Sequence, residues 1–166
     1  KKFGESGDFI TAAEETGILG RIIAKQCSVI LSEIPDAAII EYGPGSGALA
    51  VSILKQLLQM GLKPRAYYMV DVSEDLIERQ KNRISTELPE IYDSVIWKSE
   101  IPDGFSGIVI GNEVIDSMPF ERFMISNKRI LQFFVGTKEE ELVYKLEPAN
   151  IEIKKYVKRI ESQIGK

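Results

Sequence analysis

The side chains able to do chemistry in this chain of 166 residues are acids and amides. Asn112, Glu113 and Asp116 put one carboxamide and two carboxylates within five residues, the two acids three apart. Glu41 stands two positions ahead of the alternating glycines Gly43, Gly45 and Gly47, and Asp71 closes an apolar stretch 24 residues past the last of them. There is no histidine, and Cys27 is the only cysteine. Ser-His-Asp and Cys-His catalysis are therefore excluded, as are most zinc and iron sites, and no metal is expected. An internal disulfide is impossible, which suits a reducing compartment. The chemistry must come from carboxylates, amides, backbone dipoles or a cofactor that carries its own reactivity.

The elements that position these groups follow from the apolar pattern. Ala37 to Ile40 reads as a strand that feeds the glycine turn, and Leu49, Ile53, Leu54, Leu57 and Leu58 give the helix that follows, with Gly61 to stop it. Strand, tight turn and helix in that order present backbone N–H groups to a ligand. A second strand, Ala66 to Val70, ends at Asp71. Ser73 caps a helix with Glu74 and Asp75 in its first turn, and Leu76, Ile77, Gln80 and Ile84 face inward. Further strands are expected at Ser94 to Lys98 and Gly107 to Gly111. Before all of these, Thr11 and Glu14 read as a capping box, and an apolar stripe from Ile18 to Leu31 reads as a helix closed by Pro35 and Asp36. Cys27 lies on that stripe and is expected in the core. The alternation predicts an α/β fold with a doubly wound parallel sheet. Beyond Pro119 the period changes. Phe120 to Ser126, Arg129 to Val135 and Glu141 to Leu146 read as an antiparallel insertion turning at Asn127-Lys128 and Gly136-Thr137, followed by a helix from Ile151 to Ile164. The expected organisation is one domain over 1–166: a helical segment (1–36), a cofactor-binding core (37–119), the β insertion (120–148) and a closing helix (149–166).

Two cofactors fit the turn. Gly43-x-Gly45-x-x-Ala48 satisfies the dinucleotide fingerprint. Gly43-x-Gly45-x-Gly47 with Glu41 ahead of it suits the S-adenosylmethionine-binding turn of class I methyltransferases. Asp71 could accept hydrogen bonds from both ribose hydroxyls in either case. The loop after Gly111 favours the second: an enzyme methylating nitrogen has a use for Asn112, Glu113 and Asp116, whereas hydride transfer does not. The net charge of −4 gives no reason to expect a nucleic-acid partner, and no apolar run is long enough to span a membrane.

Three stretches in order carry a family resemblance: Gly7-Asp8-Phe9-Ile10-Thr11-Ala12-x-Glu14, Glu41-x-Gly43-Pro44-Gly45-x-Gly47-x-Leu49-Ala50, and Asn112-Glu113-x-x-Asp116-x-x-Pro119. Together they resemble the MidA family of S-adenosylmethionine-dependent methyltransferases, which includes a mitochondrial complex I assembly factor that methylates a protein arginine. The Asp71-Val72-Ser73 segment, with Leu76 and Gln80, also fits, with Asp where Glu is usual. Ala13 replaces a common proline, and Ser46 a frequent arginine. The resemblance implies a Rossmann-like class I methyltransferase fold and S-adenosyl-L-methionine as cofactor. On that reading Glu41, Gly43, Gly45 and Gly47 hold the methionine moiety, Asp71 and Val72 the ribose, and Asn112 lines the site beside the transferring methyl. Glu113 and Asp116 pair with the guanidinium of a protein arginine. Such sheets usually have seven strands and four parallel ones are expected here, so the chain is expected to be a fragment lacking the C-terminal part of the domain. A homodimer is expected, in the bacterial cytoplasm or alternatively the mitochondrial matrix. The competing readings are an NAD(P)-dependent oxidoreductase and an inactive methyltransferase-fold assembly scaffold.

Overall fold

The computed structural model describes residues 17–165. The Thr11–Glu14 capping box and the first of the three family stretches lie outside the described residues. Two compact units are present, one ending at Ser117 and the other beginning at Met118.

The first unit is built on a four-stranded sheet of β1 (Ala38–Tyr42), β2 (Tyr67–Val70), β3 (Val95–Lys98) and β4 (Gly107–Gly111), in the spatial order β3-β2-β1-β4 with every pairing parallel. The helices are α1 (Ile18–Glu33), α2 (Ala48–Gln59) and α3 (Glu74–Glu87), and a 3-10 segment at Pro89–Ser94 leads into β3. From β1 the chain steps outward to β2 and β3, then returns to lay β4 on the opposite side of β1. The sheet therefore changes direction between β1 and β4, and open α/β sheets hold ligands at that switch, outside the carboxyl ends of the strands.

Burial explains why β1 is central. Its first four residues are all buried, the continuous pattern of a strand covered on both faces. Ile39, Tyr67, Met69 and Ile110 pack with Leu49, Ile53, Leu54, Leu57 and Ile84, while Ala38, Ile40, Tyr68 and Val70 form the other layer with Ala66. Cys27 is buried in the first layer, and desolvation pushes its thiol pKa up, so it packs as an apolar side chain. The expected caps form: the Ser73 hydroxyl accepts from the Leu76 N–H, and Gly61 adopts φ 71° just past α2 while Leu62 N–H donates back to the Leu57 carbonyl.

The second unit holds the antiparallel sheet β5 (Phe123–Ser126), β6 (Arg129–Lys138) and β7 (Glu141–Pro148), with α4 (Ile151–Ile164) capped by the Asn150 side chain. Asn127-Lys128 makes the first reversal, both residues at positive φ. The second differs from expectation. Gly136-Thr137 lies inside β6, and the chain turns at Glu139-Glu140, with φ 50° and 70°. Glu139 and Glu140 supply the two left-handed positions of the reversal, and Gly136 instead lies under the Lys145 side chain crossing it from β7.

β4 joins β1 through an unusually close approach. Gly107 has φ 141°, and a Cβ there would lie 1.9 Å from the Ala38 carbonyl oxygen. Backbone cannot yield to a methyl group as a flexible side chain can. Gly107→Ala is expected to cost at least ~3 kcal/mol, read as a lowered urea midpoint, from overpacking plus backbone strain. A midpoint equal to the parent chain's would refute this account of the β1–β4 junction.

Candidate functional site

Three strand ends are level at the switch. Tyr42 is in register with Val70 of β2 on one side and Gly111 of β4 on the other. The residues that follow, Gly43, Asp71 and Asn112, therefore emerge side by side. At roughly 4.8 Å per strand, Asp71 and Asn112 flank the glycine turn about 10 Å apart.

The turn converts strand to helix within five residues. Gly43, Gly45 and Gly47 have φ of 57°, 55° and 81°, in the left-handed region open to glycine at little cost. Gly43 N–H still donates to the Val70 carbonyl, extending the sheet, and Gly47 N–H closes the turn on the Pro44 carbonyl at 2.9 Å. No side chain caps α2, so its first-turn N–H groups face the turn uncapped. A Cβ at Gly45 would meet nothing within 4 Å, which leaves open space above the middle of the turn. This is a cradle of donors without side chains, and it fits the amino-acid end of an adenosyl cofactor.

Asp71 is half-buried. Its Oδ1 accepts the Ser73 N–H at 3.0 Å and its Oδ2 accepts Gln80 Nε2 at 2.8 Å, so each oxygen keeps a lone pair for a ligand hydroxyl. Val72, beside it, is 93% exposed. On the other flank Asn112 is half-buried and Glu113 exposed, and Glu113 holds φ 52°, which costs a non-glycine residue about 1 kcal/mol or more. Strain of that kind collects where a side chain has to be aimed. Asp116 is exposed in the short 3-10 turn Ile115–Ser117, and among the described residues neither acid makes an ion pair. Val114 packs back on the turn: a Cβ at Gly43 would lie 3.2 Å from its Cγ2.

Glu41 sits apart from this group. It is 2% exposed, in the core beneath the turn, and accepts a hydrogen bond from the Tyr67 hydroxyl at 2.6 Å. Burial raises its pKa to about 7, and the Tyr67 hydrogen bond offsets part of that rise. Burial and the neighbouring Glu41 carboxyl hold the Tyr67 hydroxyl well above its ordinary pKa. The glycines, Asp71 and Asn112 are thus brought together at the sheet edge, while Glu41 supports the last turn of β1 from below. The sequence singled out neither Tyr67 nor Trp97 as part of the site. Its one available signal for the inner support was Gln80, a polar residue on the inward face of α3.

Comparison with known proteins agrees with this geometry. A family model for S-adenosyl-L-methionine-dependent methyltransferases matches residues 19–166. The chain belongs to the MidA family. The protein arginine methyltransferase NDUFAF7 homolog, mitochondrial, of Caenorhabditis elegans is 29% identical over 87% of the chain and 38% of its own length. The mouse protein arginine methyltransferase NDUFAF7, mitochondrial, is 27% identical over 80% of the chain and 36% of its own length. The chain thus spans under two-fifths of these relatives. Both carry a mitochondrial name, the compartment of the second expectation. A solved COG1565 superfamily member from Burkholderia thailandensis, bound to S-adenosyl-homocysteine, superposes with a TM-score of 0.75 at 27% identity, over 91% of the chain and 40% of that protein. The fold is that of a class I methyltransferase. Among the described residues no helix is long and apolar enough to cross a membrane.

The buried acid yields a stability test. Folded Glu41 keeps its proton up to about pH 7, whereas the unfolded side chain loses it near 4.5. The native state therefore binds more protons between those values, and stability falls as pH rises from about 4.5 to 7, then levels off, by on the order of 3 kcal/mol. Denaturant midpoints across that range should show the decline in the parent chain, and E41Q should remove most of it. Equal slopes in the two would show that Glu41 does not carry the effect.

Proposed function

We propose that this protein transfers a methyl group from S-adenosyl-L-methionine to an arginine side chain of a protein. The observation that carries the reading is the meeting, at adjacent strand ends, of a side-chain-free donor turn, a ribose-type acid and a strained acidic loop. Bound there, the cofactor supplies a methyl group made electrophilic by its sulfonium. The N–H groups of Gly45 and Ser46, with those of the first turn of α2, hold its amino-acid end, with Glu41 stiffening the strand beneath them. Asp71 takes the ribose hydroxyls, and the Val72 backbone lies along the same edge. Asn112 lines the site beside the reacting carbon.

The acceptor follows from Glu113 and Asp116. A free guanidinium stays protonated across the physiological pH range, and its planar fork matches carboxylates in pairs. Two acids facing it draw positive charge away from the attacking nitrogen and then receive the proton released on transfer. The names of the relatives, protein arginine methyltransferases, support the same acceptor class. The neighbouring oxidoreductase reading finds no hydride-accepting constellation in these residues.

Thermal melts with S-adenosylmethionine, S-adenosylhomocysteine and NADH test the cofactor. Ligand at 100 times its dissociation constant adds about 2.7 kcal/mol, several degrees for a chain of this size. Both adenosyl compounds should raise the midpoint, and Asp71→Ala at the same ligand concentration should cut the rise to about half or less. A shift with NADH alone would establish the oxidoreductase instead. For the acceptor step, Glu113→Gln should remove methyl transfer to arginine peptides while leaving S-adenosylhomocysteine affinity within about threefold, since losing one charged pairing costs the transition state far more than the distant cofactor. Parental turnover in that variant would take Glu113 out of the mechanism.

A further inference from the structure

We propose that Gln80 is the positioning residue of the cofactor site, and that Trp97 fixes it through its indole N–H. This inference rests on Asp71 holding the ribose hydroxyls. Gln80 projects from α3 and is fully buried. Its Nε2 donates to the Gly45 carbonyl at 2.8 Å and to Asp71 Oδ2 at 2.8 Å, so one amide nitrogen ties the middle of the turn to the acid at the end of β2. Its Oε1 accepts from Trp97 Nε1 at 3.1 Å. An indole nitrogen can only donate, so it requires the carboxamide oxygen to face β3 and turns both N–H bonds toward the site. Reversing the amide would set Nε2 against another donor and Oε1 against two acceptors.

The consequences are geometric. Both hydrogens of Nε2 are used, so Gln80 has none for a ligand and acts through Asp71 and Gly45. Ser73 N–H holds the other oxygen of Asp71, so the plane of that carboxylate is set by two donors on opposite sides. Its remaining lone pairs then point in fixed directions, as two adjacent hydroxyls require. α3 lies directly against the turn: a Cβ at Gly47 would stand 3.5 Å from Gln80 Cγ, at van der Waals contact. Trp97 is held in turn by the Tyr92 ring, with centroids 5.8 Å apart, and by Lys81, whose Nζ lies 5.9 Å from the indole centroid. Orientation thus passes from the edge strand β3, through one buried amide, to the acid.

The test measures discrimination rather than affinity alone. The full chain is titrated by calorimetry with S-adenosylhomocysteine and its 2′-deoxy analogue, for the parent, D71A, Q80M and W97F. The parent should bind the ribose form at least ~10-fold more tightly, the usual worth of a hydrogen bond to a charged group. D71A should bring that ratio near one. Q80M, similar in length but without donors, should cut it about fivefold or more although Asp71 remains. W97F keeps an aromatic ring, loses only the indole N–H and should lower the ratio in the same direction. It carries the test alone if Q80M does not fold. A purely structural role would weaken both ligands alike and leave the ratio untouched, so a parental ratio in folded Q80M and W97F overturns the proposal. A parental ratio near one would instead defeat the ribose assignment of Asp71, and this inference with it.

Discussion

The left-handed backbone of Gly43, Gly45 and Gly47 is the constraint on which the rest depends. A parallel strand points its carboxyl end out of the sheet, and a helix has to start within a few residues if it is to pack back over the same sheet. Alternating positive φ values make that reversal in five residues without strain, because no Cβ meets the preceding carbonyl. Everything near the turn respects it. Val114 closes over Gly43, α3 lies against Gly47, and the Gly45 carbonyl is taken by Gln80. The level register of β2, β1 and β4 then sets the acid and the carboxamide on either side.

The region beneath the turn is unusual in chemistry. Tyr67 and Glu41 place a phenol and a carboxyl in the same apolar layer as Ile39 and Met69, with almost no solvent contact. Burying one polar group there would be costly, and burying two as hydrogen-bonded partners offsets most of the cost. Such a pair ties β1 to β2 directly below the crevice, so the two strands cannot slide without breaking it. The edge strand β3 contributes through Trp97, and the crevice is thereby braced from three strands.

Much of this was legible in the sequence. The order of strands and helices, the turn, the end of β2 at Asp71 and the Ser73 cap were readable because each rests on local rules: periodicity, glycine spacing and capping chemistry. What failed to show depended on partners distant in sequence. Glu41 reads as a cofactor contact by its position two residues before the turn, and nothing local announces that its carboxyl is buried against Tyr67, 26 residues on. Gln80 could be read as inward-facing, yet its three partners come from three different elements. Gly136 has the composition of a turn, yet it sits inside a strand with Lys145 passing across it from nine residues on.

The two sides of the crevice also differ in when they can exist. The turn, Asp71 and Gln80 all lie between Ala38 and the end of α3, and Trp97 follows soon after, so the cofactor side closes over shorter loops than the acidic side. The acidic side waits for β4, whose Gly107 pairs with Ala38 across the whole intervening chain. Closing that loop costs more entropy, and non-local pairing of parallel strands is slow. During synthesis at ~5–20 residues per second, Trp97 leaves the ribosome roughly 1–3 seconds before the loop bearing Asn112 and Glu113. The two sides of the crevice are therefore made one after the other, the cofactor side first.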